Sequence, residues 1–139
     1  MAQSLRDIMT PNPTTVESSA PIVEAAEKMR SENIGDVIVV DGGQIKGIVT
    51  DRDITVRAVA ERKDPTSSSV SEIFSSDPST LTPDAEPGEA VRLMTEMNIR
   101  RLPIVENGKP VGIVSLGDLA VHLDSDSGLA DISAARPNN

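Results

Sequence analysis

Two short stretches of the sequence place a hydroxyl residue three positions before an aspartate. Thr50 precedes Asp53 and Ser115 precedes Asp118, each time between a β-branched apolar run and an aliphatic residue. This spacing fits a capping box, in which the hydroxyl caps a helix and the acid returns a hydrogen bond. It also fits a ligand site, because a carboxylate accepts two hydrogen bonds from a vicinal diol and the amides of a helix start favour phosphate. The spacing alone leaves both interpretations open.

The two stretches belong to an internal repeat. At an offset of about sixty-five residues, positions 7–54 align without a gap with positions 72–119, and about fifteen of forty-eight are identical. The identical pairs include Ile8 with Ile73, Pro13 with Pro78, Ala25 with Ala90, Met29 with Met94, Asn33 with Asn98, and Gly47 with Gly112. Conserved register at glycine, proline and asparagine indicates two copies of one supersecondary unit rather than two similar amphipathic segments.

Each copy predicts the same order of elements, which is strand, helix, strand, strand, helix. In the first copy, a helical turn over 5–9 precedes a strand at 14–16, and Ser18 or Ser19 is expected to cap a helix with Pro21 in its first turn. A hairpin follows over 37–40 and 44–50, then a helix over 51–62. The second copy echoes these elements with a hairpin over 102–105 and 109–115 and a helix over 116–123.

The predicted domain organisation is a tandem pair. Residues 1–63 form the first repeat, 64–69 a polar linker, 70–123 the second repeat, and 124–139 a polar tail expected to be disordered. Because a unit of this size buries little surface alone, the two copies are expected to pack together.

The composition excludes several classes of function. The chain has a formal net charge of -9, one Phe and no Tyr or Trp, so neither its field nor its side chains suit nucleic acid. Absence of cysteine excludes thiol chemistry and fits a reducing compartment, and no apolar run is long enough for a membrane helix or signal peptide. We therefore expect a cytoplasmic protein. The single histidine, His122, builds no metal site, and no catalytic arrangement is present, so no enzyme activity is predicted.

The repeat and its motif resemble the cystathionine-β-synthase (CBS) domain pair, also called a Bateman module. The resemblance rests on residues 47–53 (Gly-Ile-Val-Thr-Asp-Arg-Asp) and residues 112–118 (Gly-Ile-Val-Ser-Leu-Gly-Asp), the latter after the strand Leu-Pro-Ile-Val at 102–105. It covers about residues 5–123 and implies a stand-alone pair. The implied fold is α/β (α+β), with two β-α-β-β-α repeats related by a pseudo-two-fold axis, small sheets packed back to back and helices outside.

The resemblance also implies ligand contacts. Thr50 with Asp53, and Ser115 with Asp118, would hold the ribose and phosphate of an adenosine compound such as AMP, ADP, ATP or S-adenosylmethionine. Arg100 and Arg101 would face phosphates, whereas the first repeat has Gly35 and Asp36 at those positions, so the two clefts are expected to differ. The alternative for the Arg pair is a solvated surface or ion pairs with the abundant acids. The stretches expected to frame the base are Thr15, Val16, Val37, Ile38, Thr80, Leu81, Leu102 and Pro103.

The function implied is that of a regulatory sensor. An adenosine-containing ligand in the clefts between repeats would shift their geometry, which an unidentified partner protein would read. No cofactor is required. A homodimer is expected through the helices, with Ala25, Ala26, Met29, Val91, Met94 and Met97 as contributors. The alternative is a ligand-free dimerisation or scaffold module, with a stress-related role by analogy alone.

Overall fold

A computed structural model describes residues 4–76 and 79–123 of the chain. The predicted tail at 124–139 lies outside the described residues. The described part forms two compact units, one of residues 14–76 and one of residues 4–13 together with 79–123. We call them the first-repeat unit and the second-repeat unit, after the repeat that supplies the hairpin and helices of each. The opening segment of each sequence repeat is thus packed in the unit that the other repeat builds.

The fold is mixed α+β, as predicted. The last helix has the expected bounds, and the two β-hairpins have them to within one residue at each strand end. In chain order the elements are β1 (Thr10–Pro11), β2 (Thr15–Glu17), α1 (Ile22–Glu32), β3 (Asp36–Asp41), β4 (Gln44–Thr50), α2 (Asp51–Asp53), β5 (Ser75–Ser76), α3 (Pro87–Met97), β6 (Arg101–Glu106), β7 (Lys109–Ser115) and α4 (Leu116–Leu123). Short 3-10 turns precede β1 and β5, at Leu5–Asp7 and Val70–Glu72.

Each unit has one small sheet. In the first-repeat unit the strand order is β2-β3-β4-β5, with β2 parallel to β3 and the other pairs antiparallel. The sheet of the second-repeat unit has the order β1-β7-β6. Its counterpart of β2 is reduced to a single parallel bridge between Leu81 and Ile104. Pro103 stands where the first sheet has Ile38, whose amide donates to the Thr14 carbonyl, and a proline has no amide to make that bond.

The two long helices end in the same way, which explains one of the matched pairs. Asn33 and Asn98 adopt left-handed backbone conformations just after α1 and α3. The amides of each asparagine and of the following isoleucine donate to the carbonyl of Met29 in α1 and of Met94 in α3. Asparagine tolerates this conformation better than most residues, so it ends the helix cleanly.

The predicted serine cap of α1 is wrong. Neither Ser18 nor Ser19 caps the helix, and the residue at the cap position is Pro21, which makes no side-chain hydrogen bond there. Instead, the first free amides of α1 are satisfied by the segment that was predicted to be a linker. The Ile22 amide donates to the Ser68 carbonyl at 3.0 Å and the Val23 amide to the Pro65 carbonyl at 2.9 Å. Residues 65–68 therefore lie against the start of α1.

The helices that follow the motif differ between the repeats. The α-helical hydrogen bonding of α2 ends at Asp53, and Ile54–Val59 continue as a π-helix, a shorter helical stretch than the predicted 51–62. In the second-repeat unit, α4 is α-helical from Leu116 to Leu123. A π-helix is rare and often marks a functional position.

Two glycines allow the opening segments to lie close beside β4 and β7. A β-carbon on Gly47 would lie 2.0 Å from the Ser75 carbonyl oxygen and 2.4 Å from the Phe74 ring. A β-carbon on Gly112 would lie 2.4 Å from the Met9 sulfur and 3.1 Å from the Thr10 carbonyl oxygen. The glycine at the start of each motif is therefore required by the segment that covers it.

Each unit has its own hydrophobic core. The core of the first-repeat unit includes Ile22, Ala25 and Met29 of α1 together with Val70 and Ile73 of the opening segment of the second repeat. The core of the second-repeat unit includes Leu5, Ala90, Met94, Leu102 and Leu119. Ala25, Met29 and Met94 are therefore core residues and present no exposed apolar face, contrary to the role in dimer contacts predicted for them.

Candidate functional site

The first motif forms a complete capping box at the end of β4. The Asp53 amide donates to the Thr50 hydroxyl oxygen at 3.0 Å, and the Thr50 amide donates to Asp53 Oδ2 at 2.9 Å. Asp53 is buried, so this carboxylate is held in one position by the helix start. Of the two interpretations of the spacing, the structural one is present in the first motif.

The second motif has the same geometry. The Asp118 amide donates to the Ser115 hydroxyl oxygen at 3.0 Å, and the Ser115 amide donates to Asp118 Oδ2 at 2.9 Å. A cap uses one carboxylate oxygen and one acceptor position of the hydroxyl, and it leaves Oδ1 and the hydroxyl proton. The cap and a ligand contact are therefore compatible at both motifs.

The helix starts leave few amides for a phosphate. The amide of Asp51 donates to the Gly35 carbonyl at 2.9 Å, and that of Leu116 to the Arg100 carbonyl at 2.8 Å. With the capping boxes, the only amides of these first turns that lack a partner within the described parts of the chain are those of Arg52 and Gly117. One amide per motif is a weaker anion site than the open helix start that the sequence suggested.

Arg57 distinguishes the first motif from the second. Its Nε lies 3.8 Å from Asp53 Oδ1, the oxygen that the cap does not use, and its Nη1 donates to the Ile73 carbonyl at 3.5 Å. The residue at the corresponding place in α4 is His122, and no ion pair joins it to Asp118. Within the described ranges, the Asp118 carboxylate makes only its capping-box bond.

Lys28 makes a second difference at the start of β2. Its Nζ donates to the Thr15 carbonyl at 2.5 Å and lies 3.9 Å from Glu24 Oε2. Leu93 takes this place in α3, where it packs against the core. The Thr80 carbonyl, which corresponds to that of Thr15, has no hydrogen-bond donor in the portion of the chain that the structure describes. The acceptor expected to frame a base is thus occupied in one unit only.

The residue paired with the motif hydroxyl across the hairpin is negatively charged in the first-repeat unit and positively charged in the second-repeat unit. Asp36 is paired with Thr50 across β3 and β4, whereas Arg101 is paired with Ser115 across β6 and β7. Directly opposed residues have β-carbons about 5 Å apart, so each charge lies near its hydroxyl. Arg101 is half-buried and Arg100 is exposed. The predicted difference in charge between the two sites is therefore present beside the motif itself.

The predicted apolar contacts lie on both faces of the sheets. The side chains of Val16, Val37 and Leu102 belong to the two hydrophobic cores. Ile38 and Pro103 are also buried but lie on the opposite face of their strands, each paired with an isoleucine, Ile48 or Ile113. Leu81 is partly buried against the core of the second-repeat unit. Only backbone groups of the core residues remain for a ligand.

Sequence reasoning did not find Lys28 and Arg57. The repeat offset contained a signal, because sixty-five residues further on stand an uncharged and a weakly basic counterpart, Leu93 and His122, each beside one identical pair, Met29 with Met94 and Val56 with Val121. A charge present in only one of two copies was the feature to examine.

Other features of the described residues add no second site. A depression of about 310 Å³ is lined by Met29, Arg30, Asn33, Ile34 and Asp51, and none of the predicted ligand residues lines it. Among the described residues, no group of three or more His, Asp or Glu side chains is placed to hold a metal ion. None of the described helices combines the length and apolar character needed to cross a membrane.

The family model for the CBS domain matches the chain twice, at residues 5–59 and 70–125. The chain belongs to the CBS domain family. It is 42% identical over 134 residues to the CBS domain-containing protein YhcV of Bacillus subtilis, and this match covers 94% of the chain and 95% of YhcV. The resemblance inferred from the repeated motif is thereby confirmed.

Two solved CBS structures illustrate the similarity of fold. The CBS domain pair of protein MJ0100, in complex with 5′-methylthioadenosine and S-adenosyl-L-methionine, matches with a TM-score of 0.77 and 30% identity over 86% of this chain and 98% of that one. Hypoxic Response Protein I, with two coordinated zinc ions, matches with a TM-score of 0.79 and 31% identity over 86% of this chain and 98% of that one.

Proposed function

We propose that this CBS domain pair is a non-catalytic regulatory module of the cytoplasm that binds an adenosine-containing ligand and transmits its presence to a partner protein. The candidates are AMP, ADP, ATP and S-adenosylmethionine. The observation that carries the proposal is the fixed pair of a hydroxyl and a carboxylate at the end of a strand, present twice. Each carboxylate has one oxygen, Oδ1, that its cap does not use. A ribose diol has two hydroxyl groups that can donate hydrogen bonds to a carboxylate.

The residues proposed to contact the ligand lie on neighbouring strands of each unit. Thr50 lies opposite Asp36 at the start of β3, and Thr15 lies opposite Ile38 at the start of β2. In the second-repeat unit, Ser115 lies opposite Arg101, and Leu81 bridges to Ile104. The complex of MJ0100 with two adenosine compounds, at 30% identity, supports adenosine as the common part of the ligand.

Titration calorimetry with ATP, ADP, AMP and S-adenosylmethionine tests the proposal directly. We expect saturable binding of at least one ligand and a rise of several degrees in the unfolding temperature at saturating concentration. If none of the four produces heat or stabilisation at millimolar concentration, the sensor function is wrong and the ligand-free scaffold takes its place. Consumption of any of the four ligands would show catalysis and would contradict a purely regulatory role.

A homodimer is the second part of the proposal. α3 and α4 pack together in the second-repeat unit and carry four of the six large apolar side chains that are exposed in the described residues, those of Val91, Met97, Leu116 and Val121. The other two, Val56 and Val59, lie in the π-helix of the first-repeat unit. Exposed apolar groups concentrated on two adjacent helices are typical of an association surface. Light scattering over a range of concentrations should give twice the mass of the chain, and Val91→Lys with Leu116→Lys should give the monomer mass. A monomer at every concentration would contradict the dimer.

A further inference from the structure

We infer that the second-repeat unit holds the adenosine-type ligand, whereas Lys28 and Arg57 keep the corresponding acceptors of the first-repeat unit occupied. This inference rests on the proposed function and names which of the two motifs performs it. It follows from differences between the two repeat units, which have the same capping-box geometry but different neighbouring residues.

Arg57 occupies the carboxylate that a diol would need. The cap uses Asp53 Oδ2, and Arg57 Nε lies 3.8 Å from Oδ1, so both oxygens already have an internal partner. The Asp53 side chain is only 12% exposed, and charges in such positions are screened less than at a surface. Arg57 also donates to the Ile73 carbonyl, so its guanidinium is held from two sides. A ribose would have to compete with this cation for Asp53 Oδ1.

Lys28 occupies the second acceptor of the same unit. An adenine base held by this unit would need free backbone groups near the start of β2. The Thr15 carbonyl already accepts a hydrogen bond from Lys28 Nζ at 2.5 Å. The hydroxyl of the adjacent Thr14 donates to Glu32 of the same helix. The exposed side of α1 thus binds the start of β2 through its own charged side chains.

The second-repeat unit has neither obstacle. The places of Lys28, Glu32 and Arg57 are taken by Leu93, Met97 and His122. Within the described residues, the Thr80 carbonyl has no donor and the Asp118 carboxylate has only its cap. The two acceptors that are occupied in one unit are therefore available in the other.

The charge beside each hydroxyl favours the same unit for a phosphate-bearing ligand. Arg101 lies across from Ser115, and Arg100 precedes it, whereas Asp36 lies across from Thr50. A phosphate is attracted by the arginines and repelled by the aspartate. An adenosine phosphate therefore has both its diol and its phosphate matched at the second motif alone.

Two matched substitutions test which motif is used. Asn retains an oxygen that accepts the amide of the capping box but carries no charge, so Asp53→Asn and Asp118→Asn change the same property in each unit. With AMP as the probe, we expect Asp118→Asn to weaken binding about tenfold or more and Asp53→Asn to change it less than about threefold. With 2′,3′-dideoxy-AMP, which lacks the diol, Asp118→Asn should have little further effect. The unfolding temperature without ligand reports whether each variant is folded.

Exchange of the distinguishing residues provides the second arm. His122→Arg places in α4 the cation that Arg57 supplies in the first unit, and we expect it to weaken AMP binding. Lys28→Leu with Arg57→His should raise the stoichiometry toward two sites per chain. If AMP binds and Asp53→Asn abolishes the binding while Asp118→Asn spares it, or if the unaltered chain has two equal sites, the inference is overturned but the sensor function stands. If the unaltered chain binds none of the four adenosine compounds, the sensor function itself is overturned.

Discussion

The first-repeat unit and the second-repeat unit use one cap geometry in two chemical settings. Hydrogen bonds of 2.9 and 3.0 Å join Thr50 to Asp53 and Ser115 to Asp118 alike. Around these caps the first unit adds Asp36, Lys28 and Arg57, whereas the second has Arg101, Leu93 and His122. The capping box satisfies amides where the strand enters the helix, and both copies have it. The charged residues around the caps are where the copies differ.

The core of each unit includes the opening segment of the other repeat. Removing that segment should have the largest effect. A fragment of residues 1–63 lacks Val70 and Ile73, which are fully buried in the core of the first-repeat unit. A fragment of residues 14–78 includes them and contains all of the first-repeat unit, residues 14–76. We expect circular dichroism and proton NMR to show an unfolded 1–63 fragment and more native structure in 14–78. Equal structure in the two fragments would contradict the assignment of residues 65–76 to this core.

The motif glycines should show the next largest effect. Gly47→Ala directs a methyl group at the Ser75 carbonyl, which is backbone, and we expect a loss of about 3 kcal/mol in the free energy of unfolding. Gly112→Ala meets chiefly the side chain of Met9, which can adopt another rotamer, so we expect a loss of about 1 kcal/mol. Urea denaturation measures both. Equal losses would show that the segment beside β4 and the segment beside β7 accommodate the added methyl group equally well.

Much of this architecture could be predicted from the sequence, because the repeat fixes elements relative to each other. The hairpins follow from apolar runs around Gly43 and Gly108, which adopt positive φ values in tight turns. The cap of α1 could not be predicted, because its acceptors come from residues 65–68, far along the chain. The π-helix at Ile54–Val59 and the contact of Arg57 with Ile73 could not be predicted either, because they depend on tertiary packing.

At the candidate site, the sequence predicted the residue types but not which of their acceptor groups already have partners within the protein. It placed Thr50, Asp53, Ser115 and Asp118 at helix starts and indicated that Arg101 and Asp36 would differ. It gave no direction for the Lys28 side chain, because a lysine on the exposed side of a helix usually extends into solvent. The contacts of individual predicted residues with a ligand stay predictions until the variants are measured.

The two caps should be equally important for stability, although their surroundings differ. Thr50→Ala and Ser115→Ala each remove the acceptor of one helix amide, and we expect each to lower the free energy of unfolding by about 1 kcal/mol. Thr50→Ser serves as the control, since it keeps the oxygen. A loss confined to one of the two variants in urea denaturation would show that the equal geometry hides unequal energies.

The smallest expected effect concerns the turn at Val70–Glu72, which packs in the first-repeat unit. The Ser69 amide donates to Glu72 Oε2 at 2.9 Å and Lys63 Nζ lies 3.2 Å from Oε1, and these contacts lower the pKa of Glu72 below its ordinary value of 4.5. A lowered carboxyl pKa in the folded state contributes stability that is complete above the unfolded pKa and is lost as the pH falls through the folded pKa. The corresponding turn of the second-repeat unit has a longer bond, 3.4 Å from the Ser4 amide to Asp7 Oδ2.

Glu72→Gln should therefore lower the unfolding temperature slightly at neutral pH, by about 1–2 °C, and by less as the pH falls below about 4. Glu61→Gln is the matched control, because Glu61 is exposed and takes part in no ion pair among the described residues. Thermal unfolding between pH 3 and pH 7 measures the difference between these two variants. If that difference is the same at every pH, the Glu72 carboxylate contributes nothing through its charge, and the turn depends on packing of Val70 and Ile73 alone.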